Sequence, residues 1–188
     1  LLRNYEYAAA KSETESFFWR ELADNYLEMS KERLYDATNE MHEGARYTLY
    51  HVFLAVLKLF APFLPYVTEA IYQALFAHSD GAKSIHNSSW PQADETMIDA
   101  KAEADGELLV ELATAVRRYK SESSISLGSE LQHLQLATTE PRIATMLHEA
   151  RADIKSVTRA KEIEVSERVD ASLEQVKSEG AVGVALKR

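Results

Sequence analysis

The sequence predicts a mainly α protein, with a helical bundle over residues 1–124 and a small α+β appendix over residues 125–188. Two observations favour this fold class. Apolar residues recur at intervals of three and four through the first part of the chain, which is the helical period. After Gly128 apolar and polar residues alternate closely enough to suggest short strands. An apolar fraction of 46 % in 188 residues is ordinary for a globular chain.

Two long helices open the predicted bundle. The first runs from Asn4 to about Tyr35, where apolar residues at threes and fours are separated by Lys, Glu, Ser and Asp. The second runs from about Ala45 to Ala61. Its apolar face is too wide for a surface helix, so we expect it to be largely buried. That face consists of Leu49, Val52, Phe53, Val56, Leu57 and Phe60.

A pair of prolines interrupts the apolar run "LFAPFLPYVTEAIYQ". Pro62 should end or sharply kink the second helix, because the residue before a proline is pushed away from helical geometry. Pro65 suits the first turn of a new helix, where its missing N–H has no partner to lose. The run therefore predicts a corner inside the core and a following helix that carries Val67, Ile71, Leu75 and Phe76 inward.

The remaining elements are a loop over residues 77–96, a helix from about Asp99 to Ser123 and the appendix. The appendix should contain a short strand around Leu131–Leu136 and a helix from Pro141 to about Thr158. Two further strands are predicted at "EIEVSE" and "GAVGVALK". Between them "DASLEQVKSEG" is consistent with a hairpin loop or with one helical turn.

The sequence shows no pattern typical of catalysis or of a metal site. It has no Cys, no G-x-S-x-G, no P-loop and no G-x-G-x-x-G, and its six His are scattered. We therefore assign no catalytic and no metal-binding residue. The most apolar run, Val52 to Val67, is too short to span a bilayer and contains Lys58 and both prolines, so no membrane span is predicted.

The net charge of −9 makes general phosphate binding unfavourable, so a nucleic-acid function would need basic residues on one face. The densest basic cluster is Arg117, Arg118 and Lys120, backed by a later group of Lys155, Arg159 and Lys161. A second candidate is the aromatic triplet Phe17-Phe18-Trp19. Three adjacent side chains cannot all face inward on one helix, so at least one is left to cover a neighbour or to stack on a base.

Four stretches, in order, resemble the C-terminal anticodon-binding region of valyl-tRNA synthetases, which are class I aminoacyl-tRNA synthetases. They are "YEYAAAKSETESFFWRELADNYLEMSKERLY", "VLKLFAPFLPYVTEAIYQ", "SIHNSSWPQAD" and "AVRRYKSESSISLGSEL". The second is shared with isoleucyl and leucyl enzymes, and the first favours valine. The resemblance covers most of the chain and weakens after about Ala137.

The resemblance implies an anticodon-binding helical bundle that positions a tRNA, expected to be a valine tRNA, for aminoacylation performed elsewhere in the parent enzyme. It implies preceding catalytic and editing domains, with ATP and Mg²⁺ bound by the catalytic domain, no cofactor in this fragment, and a cytoplasmic location. It also implies that the bundle's first helix begins before Leu1, which would leave apolar surface exposed and favour self-association. The tRNA-binding candidates are Phe18, Trp19, Arg20, Arg117, Arg118 and Lys120.

Two alternatives remain at this point. The same region of an isoleucyl- or leucyl-tRNA synthetase would share the bundle but read different anticodon bases. A helical protein-interaction module without RNA binding is favoured by the acidic net charge.

Overall fold

The computed structural model describes residues 1–178 and 180–187. Contacts within the chain divide it into two compact units, one made of residues 1–24 and 36–98 and the other of residues 25–35 and 99–188. This division does not coincide with the predicted boundary at residue 124. The helix that precedes residue 124 packs with the strands that follow it, because it shares their hydrophobic core.

The first predicted helix forms as three consecutive helical segments. They are α1 (Tyr7–Ser16), a π-helical stretch (Phe17–Leu27) and α2 (Glu28–Tyr35), preceded by a short 3₁₀ turn at Leu2–Asn4. The predicted extent is therefore close to the observed one, but the π-helical stretch was not predicted. A π-helix is rare and is frequently found at functional sites.

The predicted corner at the two prolines is present in the first unit. Helix α3 (His42–Phe60) ends just before Pro62, and α4 (Pro65–Leu75) begins with Pro65 in its first turn. A short helix α5 (Ala77–Asp80) and two 3₁₀ turns, Ile85–Asn87 and Glu95–Met97, follow in the predicted loop. The core around the corner contains Leu54, Leu57, Ala61, Tyr72, Phe76 and Ile85.

The predicted inward face of α4 is partly wrong. Val67 and Leu75 are 50 % and 61 % exposed, while Phe76 is buried as expected. Ile71 is half-buried and packs against the core as expected, and the fully buried residues of α4 are Thr68 and Tyr72. A buried tyrosine needs a partner for its hydroxyl, and the Tyr72 hydroxyl donates to Asp80 Oδ2 at 2.8 Å and to the Ala82 carbonyl at 3.2 Å.

The second unit packs helices against a four-stranded sheet. Its helices are α6 (Ala100–Glu122), α7 (Pro141–Glu149) and α8 (Arg151–Thr158), and its strands are β1 (Leu131–Ala137), β2 (Ala160–Ser166), β3 (Glu174–Val176) and β4 (Gly183–Lys187). The sheet order is β2-β1-β4-β3. Strands β1 and β2 are parallel, since α7 and α8 make the crossover between them, and β4 is antiparallel to β1 and β3.

Two predicted features of the second unit differ from the structure. The helix predicted from Pro141 to Thr158 is interrupted at Ala150, which separates α7 from α8. In the segment "DASLEQVKSEG", the described residues 170–178 and 180 form neither a hairpin loop alone nor a helical turn, because they contain β3, and Glu179 lies outside the described residues. With three residues and one buried side chain, Val176, this strand is too short to show an alternating pattern.

Candidate nucleic-acid interface

The π-helical stretch sends the side chains of the aromatic triplet to different environments. Phe18 is half-buried, with its ring centroid 6.0 Å from that of Phe60 at an interplanar angle of 84°. Trp19 is 60 % exposed and Phe17 is 43 % exposed. The expectation that the three adjacent aromatics cannot all face inward is confirmed.

Trp19 therefore presents an indole face that a planar group can cover. Its centroid lies 4.9 Å from that of Phe18, edge to face, which supports the exposed ring from below. Arg20, the next residue, is also exposed. An exposed aromatic beside a guanidinium can hold a base by stacking and a phosphate by charge, the two contacts that single-stranded RNA requires.

The basic cluster at the end of α6 lies in the second unit, and its members differ in how far they are buried. Arg118 is exposed, whereas Arg117 is half-buried and donates from Nη1 to Asn25 Oδ1 at 2.9 Å. Asn25 belongs to the same unit, so this bond fixes the Arg117 side chain locally. Of the two, Arg118 is the more accessible to a phosphate.

The structure contradicts the assignment of Lys120 as a tRNA contact. Its side chain is 1 % exposed, and its ammonium donates to the carbonyls of Leu127 at 3.2 Å, Ser129 at 2.7 Å and Thr158 at 2.9 Å. An ammonium has three N–H donors, and all three are used. Lys120 therefore stabilises the turn after α6 and is not available to a phosphate.

The later basic group is also divided. Lys155 and Arg159 are exposed on and just after α8, and Arg159 adopts a left-handed conformation with φ 61° at the end of that helix. Lys161 on β2 forms an ion pair with Glu130 at 3.1 Å. Lys155 and Arg159 are therefore the more accessible cations of this group.

A groove on the first unit was not found by sequence reasoning. It has a volume of about 690 Å³ and is lined along α3 by Tyr47, Tyr50, His51, Leu54 and Lys58, among others. Across from α3 it is lined by Ser79, Asp80, Pro91, Gln92, Asp94 and Met97. The sequence contained one indication of this groove. Tyr50 and His51 follow Tyr47 by three and four residues, a spacing that places these side chains on one face of the helix.

The charged groups of this groove are held by defined hydrogen bonds. Lys58 Nζ lies 3.1 Å from Asp80 Oδ1, and their side chains are only 11 % and 18 % exposed. Burial alone would raise the pKa of the Asp80 carboxyl, but the hydrogen bonds from Tyr72 and Lys58 outweigh it and hold the pKa below its usual value. Burial, together with Asp80, raises the pKa of Tyr72 to about 12, so its hydroxyl stays a donor at neutral pH.

Asp94, at the edge of the groove, also stays ionised. Its Oδ1 accepts hydrogen bonds from Thr96 Oγ1 at 2.6 Å and from Thr96 N at 3.0 Å, which lower the pKa of its carboxyl. Within residues 1–178 and 180–187, no group of three His, Asp or Glu side chains is placed to hold a metal ion. None of the described helices is both long and apolar enough to cross a membrane.

Comparison with known proteins relates this chain to one region of tRNA ligases. Residues 1–136 match the family model of the anticodon-binding domain of tRNA ligases. The valine–tRNA ligase of Methanopyrus kandleri is 42 % identical over 165 residues, which is 86 % of this chain and 17 % of that protein. The valine–tRNA ligase of Thermococcus kodakarensis is 41 % identical over 139 residues, covering 74 % of this chain and 16 % of that protein.

A bacterial relative shows the same relationship over a longer stretch. The valine–tRNA ligase of Rickettsia felis is 39 % identical over 175 residues, covering 90 % of this chain and 19 % of that protein. The chain thus spans less than a fifth of the length of these three relatives. Because the family model matches well over half of its 188 residues, the chain belongs to the family of anticodon-binding domains of tRNA ligases.

Proposed function

We propose that this chain is the anticodon-binding region of a valine–tRNA ligase and that it binds the anticodon arm of a valine tRNA. One observation carries the proposal. Three valine–tRNA ligases, two archaeal and one bacterial, are similar to this chain over 74–90 % of its length. The parent enzyme would activate valine with ATP and Mg²⁺ in a catalytic domain and edit its product in another. We propose the cytoplasm as the location of that enzyme.

The chain's own contribution is binding and positioning. Trp19 supplies a stacking face for an unpaired anticodon base, with Phe18 supporting its ring, while Arg20, Arg117 and Arg118 are the candidate phosphate contacts. Holding the anticodon arm accelerates aminoacylation only when it aligns the distant acceptor end with the catalytic domain. No residue of this chain is assigned a chemical step.

The net charge of −9 sets the expected strength of this binding. The protein as a whole repels the RNA backbone, so local cations must supply the attraction and the affinity should fall steeply with salt. We therefore expect weak binding at moderate salt and measurable binding at low salt.

Binding of the 188-residue chain to a valine tRNA transcript tests the proposal. The same transcript with its middle anticodon base changed is the comparison, and fluorescence anisotropy at low and moderate salt is the measurement. Trp19→Ala should weaken binding about 5- to 150-fold, the range expected for the loss of one stacked base. Trp90→Ala, which removes another exposed tryptophan at 44 % exposure, is the matched control and should change little.

The basic residues are tested by the salt dependence of the same binding. Arg118→Gln should reduce the slope of log affinity against log salt by roughly 0.7 to 1, as expected for one lost phosphate contact. Arg151→Gln, which removes an exposed arginine on α8, should leave the slope unchanged. Equal binding to both transcripts would reject anticodon reading.

Two outcomes would favour the other candidates. Preference for an isoleucine or leucine anticodon would assign the chain to a sister enzyme. An absence of RNA binding even at low salt would favour a helical protein-interaction module, which the acidic charge also suits.

A further inference from the structure

Helix α4 carries an apolar face that the core of its unit does not use. The helix has one charged residue, Glu69, and its fully buried residues are Thr68 and Tyr72. Apolar side chains at spacings of three and four residues form a separate stripe along the helix and its N-cap. We call this face the α4 stripe, and its members are Leu64, Val67, Ala70, Ile71, Ala74 and Leu75.

Most of the α4 stripe is open to solvent. Leu64 is 44 % exposed, Val67 is 50 % exposed and Leu75 is 61 % exposed. The two alanines are exposed as well, whereas Ile71 is half-buried because it packs against the core. The solvent-facing side of a helix is usually charged or polar. An exposed stripe without a charged residue therefore indicates a surface that another apolar surface covers.

The loop that follows α5 lies along a different side of α4. Glu69 accepts hydrogen bonds from Ser84 Oγ and from the backbone N of Ile85, both at 2.9 Å. Gln73 Nε2 donates to the Lys83 carbonyl at 2.7 Å. At about 100° of rotation per residue, Glu69 and Gln73 lie on the side of the helix opposite the stripe. These hydrogen bonds therefore hold the loop away from the stripe.

The order of large and small side chains makes the stripe complementary to itself. Val67 and Ile71 project beyond the neighbouring Ala70 and Ala74. Suppose that two copies of α4 pair antiparallel about a two-fold axis that passes between Ala70 and Ile71. Val67 of each copy then lies opposite Ala74 of the other, so that a large side chain faces a small one and the two helices can approach closely.

We propose that the α4 stripe binds a second copy of this chain, as an antiparallel helix pair related by a two-fold axis. Self-association was expected from the sequence, and the stripe assigns it to one surface. Six side chains on each copy are far fewer than the about 20–30 residues of a standard interface, so the dimer should be weak and form at high protein concentration.

The charge of the chain gives this association a distinctive salt dependence. The stripe itself has no charged member, but each copy carries a net charge of −9. Salt screens the repulsion between the copies, so the dimer should become tighter as salt rises. Binding to tRNA should respond in the opposite direction, and the dimer does not depend on the proposed function.

Sedimentation equilibrium over a concentration series, at low and moderate salt, tests the dimer. Ala74→Glu should raise its dissociation constant about tenfold or more, because the contact would bury an unpaired carboxylate. Ala104→Glu, which adds the same charge at an exposed position on α6, is the matched control and should change little. A wild-type chain that stays monomeric up to its solubility limit, or equal association of wild type and Ala74→Glu, would overturn the proposal.

Introduced cysteines report the register, because the chain has no native Cys. The double variant Val67→Cys/Ala74→Cys should form a disulfide-linked dimer on mild oxidation, since a disulfide joins Cα atoms about 4.4–6.8 Å apart. Each single variant should crosslink far less, because the two copies of position 67, like those of position 74, are separated by about 10 Å along the helix axis. Equal crosslinking of the single and double variants, or no crosslinking of the double variant, would overturn the antiparallel pair.

The outcomes separate this proposal from the proposed function. A monomeric chain that binds valine tRNA with the expected anticodon preference would reject the dimer and support the proposed function. It would also favour a segment of a longer protein as the partner of the stripe, since the relatives are more than five times as long as the part that this chain matches. A dimer with the expected Ala74 dependence and no tRNA binding would support the stripe assignment and reject the proposed function.

Discussion

At the scale of single residues, Lys120 shows how a charge that resembles an RNA contact in the sequence becomes part of the core. Burial lowers the pKa of its ammonium, and the nearby charge of Arg159 lowers that pKa further. The three carbonyl partners from the turn and from the end of α8 offset that cost by replacing water around the charge. The residue stabilises the join between α6, the turn that follows it and the end of α8.

Replacing Lys120 by Met should destabilise the chain markedly. The change keeps an apolar chain of similar length but leaves three carbonyls without their donor, at about 1–3 kcal/mol for each group that stays dry. We expect a loss of about 3 kcal/mol or more in the free energy of unfolding, measured by urea titration with circular dichroism. Lys155→Met, at an exposed position, should cost less than about 1 kcal/mol. Equal urea midpoints for the two variants would contradict this account.

At the scale of elements, α4 organises the loop that follows it through one glutamate. Glu69 Oε1 accepts a hydrogen bond from Gln73 Nε2 at 2.8 Å, and its Oε2 accepts from Ser84 Oγ and from the backbone N of Ile85, both at 2.9 Å. These hydrogen bonds, chiefly the one from Gln73, hold the pKa of Glu69 below its usual value. The hydrogen bond from its backbone N to Glu69 holds Ile85 in place in the loop. Ile85 is 3 % exposed and belongs to the core of the first unit.

Glu69→Ala should loosen this loop without unfolding α4. The amide of Ile85 loses its acceptor, so its hydrogen exchange should accelerate several-fold, as measured by NMR. Exchange in the middle of α3 should change much less. Glu107→Ala, at an exposed position on α6, is the control and should leave Ile85 unchanged. An unchanged exchange rate at Ile85 in Glu69→Ala would show that Ile85 is held by its apolar contacts alone.

At the scale of the whole molecule, α6 belongs with the sheet that follows it. Leu112, Val116 and Tyr119 of this helix are buried in one cluster with residues of β1, β2 and β4. The helix starts with a well-formed cap, since the Asp99 side chain accepts from the backbone N of Lys101 and of Ala102. A cap alone does not stabilise a helix of 23 residues whose apolar face has lost its partners.

Truncation after residue 124 should therefore leave α6 unsupported. We expect limited proteolysis of residues 1–124 to cleave within Ala100–Glu122, while the full chain resists cleavage there under the same conditions. The core around Leu54, Tyr72 and Ile85 lies entirely before residue 99 and should remain protected in both. Equal resistance of α6 in the two proteins would support the predicted boundary at residue 124.

The sequence was sufficient to predict those elements whose pattern is long and involves residues close together in the chain. The α3 run, the proline corner and α6 follow from apolar spacing and from proline geometry, and the family follows from four stretches in order. The sequence was insufficient to predict features that depend on packing between residues far apart in the chain. The burial of Lys120 depends on carbonyls up to 38 residues away, and β3 exists only because β4 pairs with it. The groove at Tyr47 was missed because outward-facing aromatics leave no core signal.

The division of the chain also sets an order of events during synthesis. Ser156 Oγ donates to the Glu28 carbonyl at 2.6 Å across 128 residues of sequence, and α2 packs against α8 within the second unit. At roughly 5–20 residues per second, a ribosome needs on the order of 6 to 26 s to make the partner after α2 has been made. During that interval Met29, which is 8 % exposed in the folded chain, has no α8 to cover it. The nascent chain thus carries the uncovered side chain of Met29 until α8 has been translated, and a chaperone that binds exposed apolar side chains would have its longest access there.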